Sequence, residues 1–322
     1  MKKIIIGIHG LGNKPAKLLQ ERWWRKSISE GFRKCHIPIK TLPFELVYWA
    51  DIIHSKSLKQ WIKDPENPLY IEEPYHPGKK QLTAAPVNMR SKIYKYIESQ
   101  LDKIFLNEDM TLNFAGVTDK IIHRYFGDLE LYYAEDPATR EAICQRLRDQ
   151  LQRYKGYDIM LIAHSMGSII GYDVLTRLSG ELKISTFVTI GSPLGLPVIT
   201  SRMFDTIKSR QAGVGLVAPE SIEHKWYNLS DEDDHVALDH TLADDYAKNS
   251  RGIGAIDILV HNDYEISGKR NPHKSYGYLR TPELIGIIRD FLADADVPFI
   301  SKTYHSIRNF IQSGFDLIKK KR

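Results

Sequence analysis

Apolar positions along this chain follow two rhythms. Short unbroken runs, Lys3–Ile8 and Ile159-Met160-Leu161-Ile162, have the length and continuous apolarity of strands buried on both faces. Phe44–Trp49, Ile184–Ile190 and Trp226–Leu229 are short and rich in β-formers, and they read as further strands. Between them the apolar spacing turns helical. Leu18 to Phe32 carries Trp23, Trp24 and Ile28, with Gly31 near its end. A second helix is predicted after Asp136-Pro137, with Asp as N-cap and Pro in the first position; Ile143, Leu147 and Leu151 share one face before Gly156. Ile169, Ile170, Val174, Leu175 and Leu178 form a third helix, stopped at Gly180. Thr281 as N-cap and Pro282 as first residue open a fourth, with Leu284, Ile285, Ile288, Phe291 and Leu292. Strands alternating with helices predict an α/β fold, a mostly parallel sheet with helices on both faces.

The alternation lapses from about residue 53 to 135. Pro65, Pro68, Pro74, Pro77 and Pro86 mark an irregular stretch with Trp61, Tyr70 and Tyr75, followed by a helical pattern through Met89, Ile93, Ile97, Leu101, Ile104 and Phe105. This segment reads as an insertion on the core. Beyond about residue 293, Ile307, Phe310, Ile311, Phe315 and Ile318 recur at helical spacing ahead of Lys319-Lys320-Lys321-Arg322. Such a tail suits peripheral contact with an anionic membrane, or a helix docked on the core with a frayed basic end.

Composition narrows the picture. At 322 residues and 42% hydrophobic the chain can bury a large core. Two cysteines, Cys35 and Cys144, make neither a disulfide framework nor a metal cluster. The apolar run at the start ends at His9-Gly10, too short for a signal peptide, so a soluble, cytoplasmic protein is expected, export without a signal peptide being invisible to this reasoning. The net charge of +5 is scattered and not interleaved with aromatics, so nucleic acid is not expected as a partner.

Chemistry concentrates where strand gives way abruptly to helix, at Ala163-His164-Ser165-Met166-Gly167. A hydroxyl on so sharp a turn points away from the backbone, and small residues on either side let the turn close. These five residues resemble the nucleophile elbow GxSxG of the α/β-hydrolase fold, with Ala163 in place of the first glycine. Ser168, one turn into the helix, reads as packing. The other glycine-bearing turn, His9-Gly10-Leu11-Gly12-Asn13, follows the first strand. A dinucleotide fingerprint would need glycine where Pro15 stands. The resemblance implies instead that this loop lends an N–H to an oxyanion hole, the donors being the backbones of Leu11 and Met166.

A serine hydroxyl needs a base, and the base needs a carboxylate; the resembled fold orders them Ser, Asp or Glu, then His. Trp226–Leu229 leads into Ser230-Asp231-Glu232-Asp233-Asp234-His235-Val236, where similar lipase-like hydrolases place the acid shortly before Val or Ile. That selects Asp234, with Asp231 as the other candidate. The run lacks the alternating ligands and central glycine of a calcium loop, and no metal is assigned. Of twelve histidines, His240, His261, His273 and His305 follow at a distance. His273, in the turn Asn271-Pro272-His273-Lys274 ahead of the last core helix, fits best, though Lys274 interrupts the NPHS common in related sequences; His261 is the alternative. His9, Gly10, His164 and Ser192 are assigned to substrate contact, and Trp49 and Asp51 are placed where they can face the site.

The expectation is therefore an α/β-hydrolase core over 1–293, with a cap inserted at about 53–135 and a basic tail at 294–322. Its activity would be cleavage of carboxylic esters, lipophilic or lipid ones in particular, without a cofactor. An acyltransferase or thioesterase with the same triad, and a catalytically silent fold that binds or docks on lipid, are the alternatives.

Overall fold

The computed structural model describes residues 1–78, 105–106, 112–113, 132–133, 137–178, 182–196, 199–201, 203, 215–237 and 239–293. In chain order the elements are β1 (Lys3–Ile8), α1 (Lys17–Lys34), β2 (Phe44–Val47), α2 (Ala50–Ile53), β3 (Phe105–Leu106), β4 (Leu112–Asn113), α3 (Ala138–Arg153), β5 (Asp158–His164), α4 (Met166–Arg177), β6 (Ile184–Ile190), β7 (Ile222–Ser230), β8 (Ala255–Leu259), β9 (Glu265–Ile266), β10 (Lys269–Arg270), α5 (Ser275–Tyr278) and α6 (Pro282–Leu292). The chain divides into two compact units, Met1–Ile287 and Ile288–Arg322, and of the second only residues 288–293 are described. The expected helix through Met89 and Ile97, the stop at Gly180, His305 and the basic tail lie outside the described residues, as does most of the expected cap. Among the described residues no helix is long and apolar enough to cross a membrane.

Six strands form one sheet in the order β2-β1-β5-β6-β7-β8, and every adjacent pair is parallel. The chain starts in β1, steps outward to β2, then returns to the other side of β1 with β5 and continues away. The direction of winding therefore reverses between β1 and β5. At such a point the loops leaving the two C-terminal strand ends diverge and open a crevice, where α/β sheets place their sites.

Alternation along β1 assigns its two faces. Ile4, Ile6 and Ile8 share a core with Ile143, Leu147 and Leu151 of α3 and with Met166, Ile169, Ile170, Val174 and Leu175 of α4. Gly7 faces the other way: a Cβ there would lie 2.7 Å from the Phe44 ring and 2.9 Å from Trp24 of α1. Helices thus cover both faces, as the continuous apolar strands require.

The boundaries depart from the sequence reading in several places. β2 ends at Val47, and Trp49 heads the short α2 instead of ending the strand. α3 begins at Ala138 with Pro137 in the capping position, one residue later than expected. β7 is nine residues long, extending back to Ile222. β8 escapes the sequence patterns because Asp257 interrupts an apolar run that follows Gly252 and Gly254; its side chain accepts hydrogen bonds from the N–H groups of Leu242 and Ala243 and from Asn228. The β9–β10 hairpin turns on Ser267 and Gly268, both at positive φ (51° and 77°), the signature of a type I′ turn.

Gly31 lies inside α1, where alanine would ordinarily gain about 1 kcal/mol in helix propensity. A Cβ there would meet Ile285 Cγ1 at 2.6 Å and the main chain of Arg280 at 2.9 Å. Overpacking costs roughly 1–3 kcal/mol and outweighs the propensity gain. Gly31→Ala is therefore expected to lower the urea midpoint of unfolding.

Candidate active site

The turn between β5 and α4 holds Ser165 at φ 55°, ψ −130°, a left-handed backbone for a residue that is not glycine. Such a conformation costs on the order of 1–3 kcal/mol and persists only where neighbours enforce it. Here the Ser165 N–H donates to the Ile190 carbonyl (3.1 Å), and the Ser165 carbonyl accepts from the N–H (2.8 Å) and hydroxyl (2.5 Å) of Ser168. Two glycines make the turn fit. A Cβ on Gly167 would lie 2.7 Å from the Ile8 carbonyl oxygen, and one on Gly10 would lie 2.6 Å from the Ser165 Cβ. Ala163, by contrast, sits in the core shared with Met166, where one methyl is accommodated.

His273, in the loop before α5, stands beside this hydroxyl. Its Nε2 is 3.0 Å from Ser165 Oγ, and its Nδ1 is 2.9 Å and 3.0 Å from the two carboxylate oxygens of Asp234. The carboxylate can only accept, so Nδ1 carries the proton and Nε2 is free to accept from the serine. Asp234 is buried and accepts further hydrogen bonds from the Tyr278 hydroxyl (2.6 Å) and the Val236 N–H (2.9 Å). Burial alone would push its carboxyl up; His273, Tyr278 and the Val236 N–H together hold it below the ordinary value.

Asp231, the other candidate acid, is engaged elsewhere. Its carboxylate pairs with Arg270 and accepts from the main-chain N–H groups of Asn262 and Asp233. Burial pushes it up to about 6, against the pull of the Asn262 N–H and Arg270. His261 lies on this side, its Nδ1 3.1 Å from the Arg270 guanidinium. Of the alternatives left open by the sequence, the structure therefore brings together Ser165, His273 and Asp234. No protein-family model, curated protein or solved structure matches this chain. The geometry has to speak for itself.

Three side chains assigned to substrate contact have internal partners. The His9 ring donates to the Gly10 carbonyl (2.8 Å), accepts from the Trp49 N–H (3.1 Å) and stacks on the Trp49 indole (centroids 4.9 Å apart). The Trp49 indole N–H returns a bond to the His9 carbonyl at 2.9 Å. Both ring nitrogens are used, and His9 fastens the glycine loop to the start of α2. His164 is buried, and its Nε2 donates to the His273 carbonyl at 2.7 Å. Ser192 is buried as well, bonded to Ser168 Oγ (2.8 Å) and to the Leu194 N–H (3.2 Å). Asp51 is exposed and paired with Arg146 rather than turned to the site. Gly10, the fourth of these positions, lies so close that an added Cβ would fall 2.6 Å from the Ser165 Cβ.

Tyr278, Asn262 and Glu73 were not found from sequence. Tyr278 belongs to a short helix without a motif of its own. Glu73 explains the irregular Lys274, since its carboxylate pairs with Lys274 (2.9 Å) and accepts from Asn271 Nδ2 (2.6 Å). Asn271 Oδ1 in turn accepts the His273 N–H at 3.0 Å. Among the described residues no group of three His, Cys, Asp or Glu is placed to hold a metal ion.

Burial lowers the His9 pKa from 6.5 to about 3, with the Lys14 charge adding to the effect, and burial holds His164 well below 6.5. Between those values the unfolded chain binds protons that the folded chain does not, so these two residues make stability rise with pH through that window. Asp231, raised from 3.8 to about 6, binds its proton in the folded state and acts in the opposite sense between those values. His9→Asn is expected to remove about one proton from the uptake on unfolding between about pH 4 and 6, read from the pH dependence of the urea-unfolding free energy.

Proposed function

We propose that this chain is a serine hydrolase that cleaves carboxylic esters through an acyl-enzyme on Ser165. The observation that carries the reading is the unbroken hydrogen-bonded row Ser165–His273–Asp234, mounted on a strained turn at the C-terminal end of β5. His273 Nε2 takes the serine proton as Oγ attacks the carbonyl carbon, then returns it to the leaving alcohol; water enters by the same route to release the acid. Asp234 keeps the proton-bearing Nδ1 oriented and stabilises the imidazolium, a task for which a carboxylate held below its ordinary pKa is suited.

The negative charge that develops on the substrate oxygen needs preorganised donors. Met166 is the first residue of α4, so its N–H has no carbonyl four residues back within the helix, and the positive end of the helix dipole lies there. Leu11 follows Gly10, whose main chain abuts the Ser165 Cβ. We assign the oxyanion hole to these two N–H groups, each worth on the order of 3 kcal/mol to the transition state. The strand order, the acid after β7 and the base after β8 ahead of the last helix together favour the α/β-hydrolase fold, with its cap in about 53–135. Trp61, Tyr70 and Tyr75 of that segment favour a lipophilic acyl group.

A fluorophosphonate probe is expected to label the protein and fail on Ser165→Ala, with ester turnover falling by on the order of 10⁴ or more while the circular dichroism spectrum is kept. Asp234→Asn is expected to fold and to lose a comparable factor in kcat. A protein that resists the probe, or a Ser165→Ala variant that hydrolyses p-nitrophenyl esters at the parent rate, overturns the proposal; graded acyl lengths and added alcohol or thiol acceptors separate hydrolysis from acyl transfer.

A further inference from the structure

We infer that Asn262 is a positioning residue for the reaction: it places the His273 imidazole between Ser165 and Asp234. The inference rests on the reading of those three residues as a triad, and it concerns what holds their spacing.

Three consecutive carbonyls of the histidine loop accept hydrogen bonds from buried side chains. Asn262 Nδ2 donates to Pro272 (2.6 Å) and to Lys274 (2.9 Å), and His164 donates to His273 between them. One amide group therefore clasps the peptide on both sides of His273. Its orientation is fixed, because Asn262 Oδ1 accepts the Tyr264 N–H at 3.1 Å and only the NH₂ end can face two carbonyls.

Asn262 is itself held from the acid side of the site. Its N–H donates to Asp231 Oδ2 (2.5 Å), and its carbonyl accepts from Arg270 Nε (2.8 Å). The Asp231 N–H donates to the Tyr278 hydroxyl (2.9 Å), which donates onward to Asp234. The Asp234 N–H donates back to the Asp231 carbonyl at 3.0 Å. Asn262 thus joins the loop that carries the acid to the loop that carries the base. Space is reserved for it: a Cβ on Gly277 would fall 1.5 Å from Asn262 Oδ1, so only glycine there lets the asparagine sit. Asn262 is completely buried, and no part of it faces the hydroxyl of Ser165 through any hydrogen bond described. Its influence on chemistry passes through the placement of His273.

That placement matters because two contacts, at 3.0 Å and 2.9 Å, must hold at once on opposite ends of one ring. A displacement of about 1 Å typically costs on the order of 10²-fold in rate. Asn262→Ala removes the clasp, and Asn262→Leu removes both donors while keeping volume and burying no charge, which gives a folded comparison if the alanine variant unfolds. Using the full chain and p-nitrophenyl acetate, each folded variant is expected to lose on the order of 10²-fold in kcat with KM within about twofold of the parent. The downfield proton resonance of His273 Nδ1–H, read by NMR without substrate, is expected to broaden or vanish in both. Variants that keep kcat within about threefold and retain that resonance overturn the inference, as does a loss of kcat with the resonance unchanged. If the parent neither turns over ester nor reacts with a fluorophosphonate, the hydrolase reading fails by itself; the resonance then still decides whether Asn262 places the imidazole.

Discussion

Everything at this site depends on how closely two stretches of main chain approach each other. The loop leaving β1 and the turn leaving β5 abut so tightly that a single methyl on Gly10 would strike the Ser165 Cβ, and one on Gly167 would strike the Ile8 carbonyl. Strand neighbours in a parallel sheet lie about 4.8 Å apart, and their exits can stay that close only where side chains are absent. The same proximity accompanies the left-handed backbone of Ser165. His9, stacked on Trp49 and bonded at both nitrogens, keeps the first of the two loops from relaxing away.

A second constraint is electrostatic. Four carboxylates follow one another at 231–234, and the fold separates their surroundings. Asp234 is buried among donors and faces an imidazole; Asp231, three residues earlier, is buried against Arg270 and raised to about 6. Asp233 shares the same guanidinium. His164, close enough to feel the Asp234 charge, is kept neutral by burial, whereas the imidazole of His273 faces both a carboxylate and a hydroxyl. The surroundings assign the roles among similar side chains.

Much of this was legible in the sequence because local rules and global fold agree there. Lys3–Ile8, Ile184–Ile190 and the strand–serine–helix junction stand where pattern alone puts them, since strands buried on both faces have no other way to be written. Asp234 and His273 were legible only as candidates: sequence order narrows them, but Asp231 and His261 satisfy the same order and differ only in where the fold points them. β8 was hidden by Asp257, whose carboxylate serves backbone groups fifteen and fourteen residues earlier. Asn262, Tyr278 and Glu73 were hidden for a related reason. Glu73 and Tyr278 bond side chains remote in sequence and Asn262 bonds main-chain carbonyls, and no periodicity records such bonds.

The place of β1 between β2 and β5 has a consequence for how the molecule comes into being. Lys3 pairs with Asp158, so the first strand waits for more than a hundred and fifty further residues before the sheet can close around it. The hydroxyl of Ser165 emerges from the ribosome soon afterwards, yet the ring that stands beside it lies 108 residues farther along. For those 108 residues of synthesis the growing polypeptide carries the serine without the imidazole that it meets in the folded chain.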